Sequence, residues 1–268
     1  MHRGINLSTN EFAAELHTAL RARKPVAPLT VRAGDLTIDA AYAISLEFLA
    51  LRVQEGERIV GKKIGVTSKP VQDMLQVDQP DFGFLTDAMQ VREGDEIEIR
   101  RRLIQPRTEA EMAFILRKDI TGPGVTAQQV LEATEAVAPC IEVVDSRIID
   151  WKIRIQDTIA DNASCGAFVL GDARFDPREF NLPAMQVRFF KNGRLVSEGH
   201  GAAVQGSPLN AVAWLANTLG RYGVSLEAGD IVLSGSMVPL EPAAPGDVFQ
   251  MQLSAAGRDV CGTSVRFV

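Results

Sequence analysis

Histidine is scarce in this sequence. The chain has only three histidines in 268 residues, and these are His2, His17 and His200. None of them lies in a motif, so a Ser-His-Asp triad or a histidine-rich zinc site has little support. The sequence also lacks a GxGxxG fingerprint and a GxxxxGK[ST] phosphate loop. These absences disfavour several common classes of enzyme and leave lysine and carboxylate side chains as the candidates for chemistry.

Long apolar runs, an excess of positive charge and closely spaced cysteines are absent as well. No stretch approaches the ~18 apolar residues of a membrane span, and the first residues lack the apolar centre of a signal peptide. The net charge of -6 disfavours nucleic-acid binding, which needs clustered lysine and arginine. Cys140, Cys165 and Cys261 lie far apart in apolar surroundings, which indicates free thiols in a reducing compartment. We therefore expect a cytoplasmic protein that binds neither membranes nor nucleic acid.

The N-terminal part of the chain has the pattern of a helical region. Thr9–Arg23 carries apolar residues at helical spacing, and a Lys-Pro pair follows it. Thr37 is a suitable N-cap for a second helix, which we expect to end at Gly56. We therefore predict a helical N-terminal cap that comprises residues 1–57.

The remainder of the chain, residues 58–268, has the pattern of a β-rich body. Short apolar runs alternate with glycine and proline, which is typical of strands. The Asn192-Gly193 pair predicts a hairpin, and Ser207 followed by Pro208 predicts the start of a helix. Together the two parts predict an α+β fold in which the cap packs on the body.

Two carboxylates stand out in the run QPRTEAEMAFIL. Glu109 and Glu111 point to the same face only if this segment is a strand, and apolar residues alternate with them. Burying two acids on one face is costly unless something compensates their charge. A hard cation such as Mg²⁺ or Mn²⁺ is the simplest compensation, and Glu142 in the apolar run VAPCIEVV can supply a third oxygen. The alternative is a solvated edge strand on which both acids are exposed.

Three further segments carry candidate groups. In GKKIGVTSK, one of Lys62 and Lys63 points inward if the segment is a strand, unless both are exposed on an edge strand. A lysine beside acids and a metal can move a proton or hold an anionic intermediate. Asp81, in QPDFG, is flanked by a proline and a nearby glycine, a setting more typical of a turn than of a catalytic site. Ser164, in DNASCG, suits either a tight turn or a hydrogen bond to a carboxylate.

Six segments of the chain, taken in order, resemble those of one enzyme family: GKKIGVTSK, QPDFGFLTDAM, QPRTEAEMAFIL, EVVDSRIIDWKI, DTIADNASCG and LSGSMVPLEPAAPGD. This family is the 2-hydroxypenta-2,4-dienoate hydratases (2-oxopent-4-enoate hydratases) of aromatic meta-cleavage pathways, in the fumarylacetoacetate hydrolase superfamily. The resemblance implies a mixed β-sandwich roll with a helical N-terminal cap and one bound Mg²⁺ or Mn²⁺. It implies a hydro-lyase that converts 2-hydroxypenta-2,4-dienoate to 4-hydroxy-2-oxopentanoate.

The resemblance also implies roles for individual residues. In the family, acids hold the metal at the positions that match Glu109, Glu111 and Glu142. The lysine and the acid that match Lys63 and Asp81 are the family's candidates for proton transfer, with Lys63 also stabilising the enolate of the substrate. Ser164 matches a position that contacts the substrate carboxylate.

Other functions stay open on the sequence. A sister enzyme, 2-oxohex-3-enedioate (4-oxalocrotonate) decarboxylase, resembles the hydratases in fold and metal site, but that family tends to lack the acid at Asp81. A non-catalytic partner subunit is disfavoured by the intact metal and lysine set. A hydrolase of β-diketones is disfavoured because such relatives activate water with histidine. The resemblance implies a homo-oligomer, a small 2-oxo or 2-hydroxy dienoic acid as substrate, and an association with the decarboxylase as a plausible complex.

Overall fold

A computed structural model describes residues 8–75 and 79–268 of the chain, so His2 lies outside the described residues. Its helices are α1 (Thr9–Ala22), α2 (Leu29–Arg32), α3 (Ile38–Gln54), α4 (Lys69–Leu75), α5 (Ile99–Arg102), α6 (Ala127–Ala133), α7 (Ile155–Ala160) and α8 (Pro208–Gly220). Its strands are β1 (Ile59–Gly65), β2 (Asp81–Thr86), β3 (Gln90–Arg92), β4 (Glu96–Ile97), β5 (Arg107–Leu116), β6 (Thr134–Val144), β7 (Cys165–Leu170), β8 (Gln186–Lys191), β9 (Arg194–His200), β10 (Ile231–Ser236), β11 (Glu241–Pro242), β12 (Val248–Ala255) and β13 (Arg258–Phe267).

Both helices predicted near the N-terminus are present, and local hydrogen bonds explain where they begin. Ser8 caps α1 by accepting from the backbone of Glu11, whose carboxylate in turn accepts from the backbone of Ser8 at 2.7 Å. Thr37 caps α3 by accepting from the Ala40 backbone N–H at 3.1 Å. Gly56 follows the end of α3 with a φ of 102°, a conformation that favours glycine. The sequence therefore predicted these two helices to within about a residue.

Two mixed sheets form the body. The larger has the order β2-β1-β10-β5-β6-β7-β3, with β11 paired to β5, and the smaller has the order β4-β13-β12-β8-β9. Most neighbouring strands are antiparallel, but β1–β10, β3–β7 and β4–β13 are parallel. The predicted α+β fold with mixed sheets is confirmed.

Two local predictions in the body are also confirmed. Asn192 and Gly193 connect β8 to β9 with φ angles of 54° and 75°, the left-handed backbone that a two-residue hairpin requires. Ser207 caps α8 by accepting from the Leu209 backbone N–H at 3.3 Å, and Pro208 occupies the first helical position.

One apolar core extends across the proposed cap boundary. Phe48 on α3, Ile64 on β1 and Phe114 on β5 are buried members of the same cluster. Strand β1 begins at Ile59, close to the predicted boundary, but one apolar core is shared across that boundary, so the division into 1–57 and 58–268 stays a prediction. Within residues 8–75 and 79–268, no helix combines the length and the apolar character needed to cross a membrane.

Candidate active site

Three acids meet where β5 and β6 pair in the middle of the larger sheet. Glu109 lies directly opposite Glu142 in the antiparallel register, and Glu111 follows on the same face of β5. One carboxylate oxygen from each of the three lies within 4.8 Å of the others. Glu111 and Glu142 are fully buried and Glu109 is half-buried. The alternative of a solvated edge strand is therefore wrong, because β5 lies between β10 and β6.

Two carboxylate oxygens of this cluster are buried without a hydrogen-bond donor in the described part of the chain. Glu111 accepts one hydrogen bond, from the Gly235 backbone N–H at 2.8 Å. Its other oxygen, and Oε2 of Glu142, have no hydrogen-bond partner among the described residues. Unpartnered buried carboxylate oxygens are costly, and a set of three carboxylates suits a hard divalent cation. The donor set fits such an ion.

The ionisation of the acids reflects their crowding. Burial raises the pKa of Glu109 to about 8, and the negative charge of Glu142 adds to the shift. Burial also raises the pKa of Glu111, with further contributions from Glu142 and Glu109. The cluster therefore favours either retained protons or a bound cation at neutral pH.

The two adjacent lysines of β1 point to opposite faces. The Lys63 ammonium lies 2.9 Å from Oε1 of Glu142 and donates to the Ala163 carbonyl at 3.0 Å. Lys62 instead pairs with Asp230 at 2.5 Å. Both are buried because β1 lies between β2 and β10, so the alternative of exposed lysines is wrong. Lys63 is the lysine that faces the acids.

Lys63 keeps its proton in this setting. Burial alone would lower its pKa, but the negative charges of Glu142 and Asp81 outweigh that effect and raise the pKa above its ordinary value. The side chain is therefore a fixed positive charge beside the carboxylates and a ready hydrogen-bond donor.

Asp81 is the first residue of β2, not a turn residue, and it is buried. The sequence suggested that Gly83 belongs to a turn, but the structure shows a different reason for glycine at this position. A Cβ on Gly83 would lie 2.6 Å from the carbonyl oxygen of Asn162, so glycine is needed there for close approach. Burial raises the pKa of Asp81, while Lys63 acts in the opposite direction. Its Oδ1 has no hydrogen-bond partner within the part of the chain that the structure describes.

A left-handed turn between α7 and β7 carries Ser164. Asn162, Ala163 and Ser164 have φ angles of 54°, 49° and 53°. The Asn162 side chain accepts from the Phe84 backbone N–H at 2.7 Å and donates to its carbonyl at 2.9 Å, which fixes the turn against β2. The Ser164 hydroxyl lies 3.3 Å from the Asp161 carboxylate. The predicted tight turn is thus present.

The candidate site residues lie at one cavity of about 290 Å³. Lys63, Asp81, Glu109 and Ser164 line it, and one oxygen each of Glu111 and Glu142 lies within 4.8 Å of a Glu109 oxygen. Much of the remaining wall is apolar, with contributions from Val66, Val71, Val144, Ile153 and Leu240. The structure therefore brings all six predicted site residues together.

The cavity also contains residues that the sequence analysis did not select, namely Arg107, Asp150, Trp151 and Thr158. A signal for Arg107 was available, because it precedes Glu109 by two residues and so shares its strand face. Asp150, Trp151 and Thr158 lie within the segments EVVDSRIIDWKI and DTIADNASCG named above, but no spacing pattern marks them individually, and they reach the cavity from a 3-10 helical turn and from α7.

Comparison with known proteins places the chain in a family. Residues 52–262 match the family described as fumarylacetoacetate (FAA) hydrolase C-terminal. The chain belongs to this family. Among family relatives, it is 57% identical to a 2-hydroxyhexa-2,4-dienoate hydratase of Comamonas testosteroni, covering 90% of this chain and 92% of that one. It is 59% identical to a 2-hydroxypent-2,4-dienoate hydratase of Pseudomonas putida, covering 81% and 97%. The resemblance to the hydratases is confirmed.

A solved structure of the same family has a closely similar fold. It is the 4-oxalocrotonate decarboxylase from Pseudomonas putida G7, complexed with magnesium and adipate. The TM-score is 0.92 at 32% sequence identity, over 97% of each chain. The similarity confirms the predicted fold, while the higher sequence identity to the hydratases favours the hydratase activity over the decarboxylase activity.

Proposed function

We propose that this protein is a metal-dependent hydro-lyase that adds water to 2-hydroxypenta-2,4-dienoate and forms 4-hydroxy-2-oxopentanoate. The observation that carries the proposal is the joint placement of Lys63 and Asp81 beside three clustered carboxylates in one cavity. The identity of 57% to 59% with named hydratases supports the choice of reaction.

Glu109, Glu111 and Glu142 would hold the cation, which we propose to be Mg²⁺ or Mn²⁺. The magnesium in the related decarboxylase supports a divalent ion of this kind. When bound, the ion would supply Lewis-acid stabilisation of negative charge on the C2 oxygen of the substrate.

The remaining chemistry falls to Lys63 and Asp81. Lys63, which is protonated, would hold the negative enolate oxygen, give a proton to C5 and regain one from the C2 hydroxyl. This protonation leaves an α,β-unsaturated ketone with an electrophilic C4. Asp81 would orient water toward C4, take a proton from it as the new C–O bond forms, and return that proton to C3 of the resulting enolate, which gives 4-hydroxy-2-oxopentanoate. Its raised pKa suits a base that works near neutral pH.

The carboxylate of the substrate would lie near Ser164, which lines the cavity and whose hydroxyl would turn from the Asp161 carboxylate to donate to the substrate. The apolar wall would exclude bulk water from the dienoate chain. Its extent also supports acceptance of a C5 methyl group, as in the substrate named for the Comamonas relative.

The proposal is tested on metal-stripped protein, assayed with and without Mg²⁺ or Mn²⁺. One cuvette contains 2-hydroxypenta-2,4-dienoate and the other contains 2-oxohex-3-enedioate, and both products are identified. We expect metal-dependent formation of 4-hydroxy-2-oxopentanoate from the first and no CO₂ from the second. Rapid release of CO₂ would favour the decarboxylase, whose fold similarity makes it the second candidate.

The roles of Asp81 and Glu109 are separable in the same assay. Asp81→Asn should lower turnover by about 10²- to 10⁴-fold, the usual contribution of a general base, and leave Mn²⁺ binding largely intact. Glu109→Gln should weaken Mn²⁺ binding and turnover together. Full turnover in Asp81→Asn would remove Asp81 from the mechanism. Failure of the wild-type protein to bind Mn²⁺ would revive the non-catalytic partner subunit.

A further inference from the structure

Arg107 is a cavity residue with no role in the function proposed above. It is the first residue of β5 and precedes Glu109 and Glu111 by two and four positions, so its side chain is on their face of the strand. The residue is half-buried and lines the cavity. The strand therefore places the Arg107 guanidinium on the same face as the carboxylate cluster, next to Glu109.

The Arg107 guanidinium lies against an aromatic ring. Its Cζ lies 4.8 Å from the centre of the Trp151 ring. The ring itself is fixed by its indole N–H, which donates to the Gln105 carbonyl at 3.1 Å. Within residues 8–75 and 79–268, the Arg107 side chain makes no ion pair and donates no hydrogen bond. Its fork of donors stays available to a ligand in the cavity.

The charges around the cavity favour such a role. Asp81, Glu109, Glu111 and Glu142 supply four carboxylates, and Lys63 is already engaged by Glu142 and the turn carbonyl. With all four acids ionised and one divalent ion bound, this set still carries one net negative charge. An acid substrate would then be repelled, and the positive charge of Arg107 offsets that repulsion.

We propose that Arg107 binds the carboxylate of the substrate, with Trp151 holding the guanidinium in position. A planar guanidinium matches a carboxylate through two parallel hydrogen bonds, and stacking on an aromatic ring leaves its edge free to make them. The inference rests on the proposed function only in taking a small carboxylic acid as the ligand. Arg107 supplies the charge in this arrangement, and Ser164 supplies a neutral hydrogen bond.

The test compares two ligands of nearly the same size, 2-oxopentanoate and 2-oxopentanamide, in which an uncharged amide replaces the carboxylate. Their dissociation constants are measured by calorimetry on Mn²⁺-loaded wild-type protein, Arg107→Met and Arg107→Lys. The matched control is Arg188→Met, because Arg188 also stacks on an aromatic ring, at 5.6 Å from Phe190, but lies on β8 outside the cavity. Mn²⁺ affinity without an organic acid is measured for every variant.

We expect the wild-type protein to prefer the acid over the amide. Arg107→Met should bind the acid about 10- to 100-fold more weakly, as expected for loss of a charged hydrogen-bond pair, and should bind the amide within about threefold of the wild type. The affinity of Arg107→Lys for the acid should lie between those of the wild type and Arg107→Met, because lysine keeps the positive charge but cannot form two parallel hydrogen bonds. In turnover, KM should rise more than kcat falls. Arg188→Met and all Mn²⁺ affinities should match the wild type.

Several results would overturn the inference. Equal weakening of acid and amide would mean that Arg107 only shapes the wall through Trp151. An unchanged acid affinity, or a wild-type protein without preference for the acid, would exclude a carboxylate site. If Arg107→Met does not fold, Arg107→Gln provides the second neutral variant. The ligand preference is read without turnover, so it stands or fails separately from the hydratase reaction.

Discussion

Lys62 and Lys63 are neighbours in sequence, yet they face different environments, and this contrast allows a paired test of the site. Lys63→Met should lower turnover by at least about 10²-fold, because a proton donor and a positive charge leave the cavity. Lys62→Met should change turnover by less than about threefold but lower the free energy of unfolding by about 3 to 5 kcal/mol, because Asp230 loses its buried partner. Steady-state kinetics and urea denaturation of both variants provide the measurements. A larger loss of turnover in Lys62→Met would contradict the assignment of the two faces.

The residue identities of the candidate site were predictable where strand alternation alone decides them. The spacing of Glu109 and Glu111 was sufficient to predict a shared face, and both lie in the cluster. Alternation could not say which lysine faces the acids, since that depends on which face of β1 the rest of the fold covers. Asp81 was harder to interpret, because a proline and a glycine beside an acid are typical of turns.

Strand β2 and the left-handed turn illustrate why elements distant in sequence can constrain each other. Gly83 on β2 is separated from Asn162 by about eighty residues, yet the carbonyl of Asn162 occupies the space that a side chain at Gly83 would need. No local pattern in QPDFG contains this information. The hairpin at Asn192-Gly193 was predictable because two adjacent residues specify it, whereas the pairing of Glu109 with Glu142 depends on the register of two long strands.

The close approach at Gly83 gives a prediction for the stability of this element. Gly83→Ala should lower the free energy of unfolding by about 1 to 3 kcal/mol, because the new Cβ meets backbone atoms that cannot turn aside. Gly34→Ala is the matched control, since a Cβ there has no neighbour within 4 Å, and it should change stability by less than about 0.5 kcal/mol. Urea denaturation measures both variants. Equal stability of the two variants would show that the left-handed turn at Asn162 moves to accommodate the new Cβ on β2 at little cost.

At the scale of the whole molecule, the apolar core joins the N-terminal helices to the strands that carry the site. Phe12 on α1 and Phe82 on β2, next to Asp81, belong to one cluster. The fold could be predicted from sequence to the level of class and family, because many motifs agreed. The predicted homo-oligomer, the association with the decarboxylase and the cytoplasmic location stay predictions. On β9, at the edge of the smaller sheet, Leu195 and Val196 are exposed.

The carboxylate cluster links metal binding, pH and the stability of the whole protein. The pKa of Glu109 is about 8 in the folded protein without a cation, above its ordinary value of 4.5. The folded state therefore holds a proton that the unfolded chain releases at lower pH, and the stability from this group is lost as pH rises through 8. A bound cation replaces that proton. The stabilisation by Mn²⁺ should accordingly increase between pH 6 and pH 8.

This linkage is measured as the unfolding temperature with and without excess Mn²⁺, from pH 6 to pH 8. Apparent Mn²⁺ affinity should rise by about tenfold or more per pH unit below 8, since each bound ion displaces the proton of Glu109, and Glu111, whose pKa is also raised, adds to the release. Glu109→Gln should abolish most of the Mn²⁺-dependent shift in unfolding temperature and flatten its pH dependence. Glu135→Gln is the matched control, because Glu135 lies exposed on β6, the strand of Glu142, and should behave as the wild type. The same shift in Glu109→Gln as in Glu135→Gln would mean that the ion binds elsewhere, because a neutral amide cannot compensate its charge within the cluster.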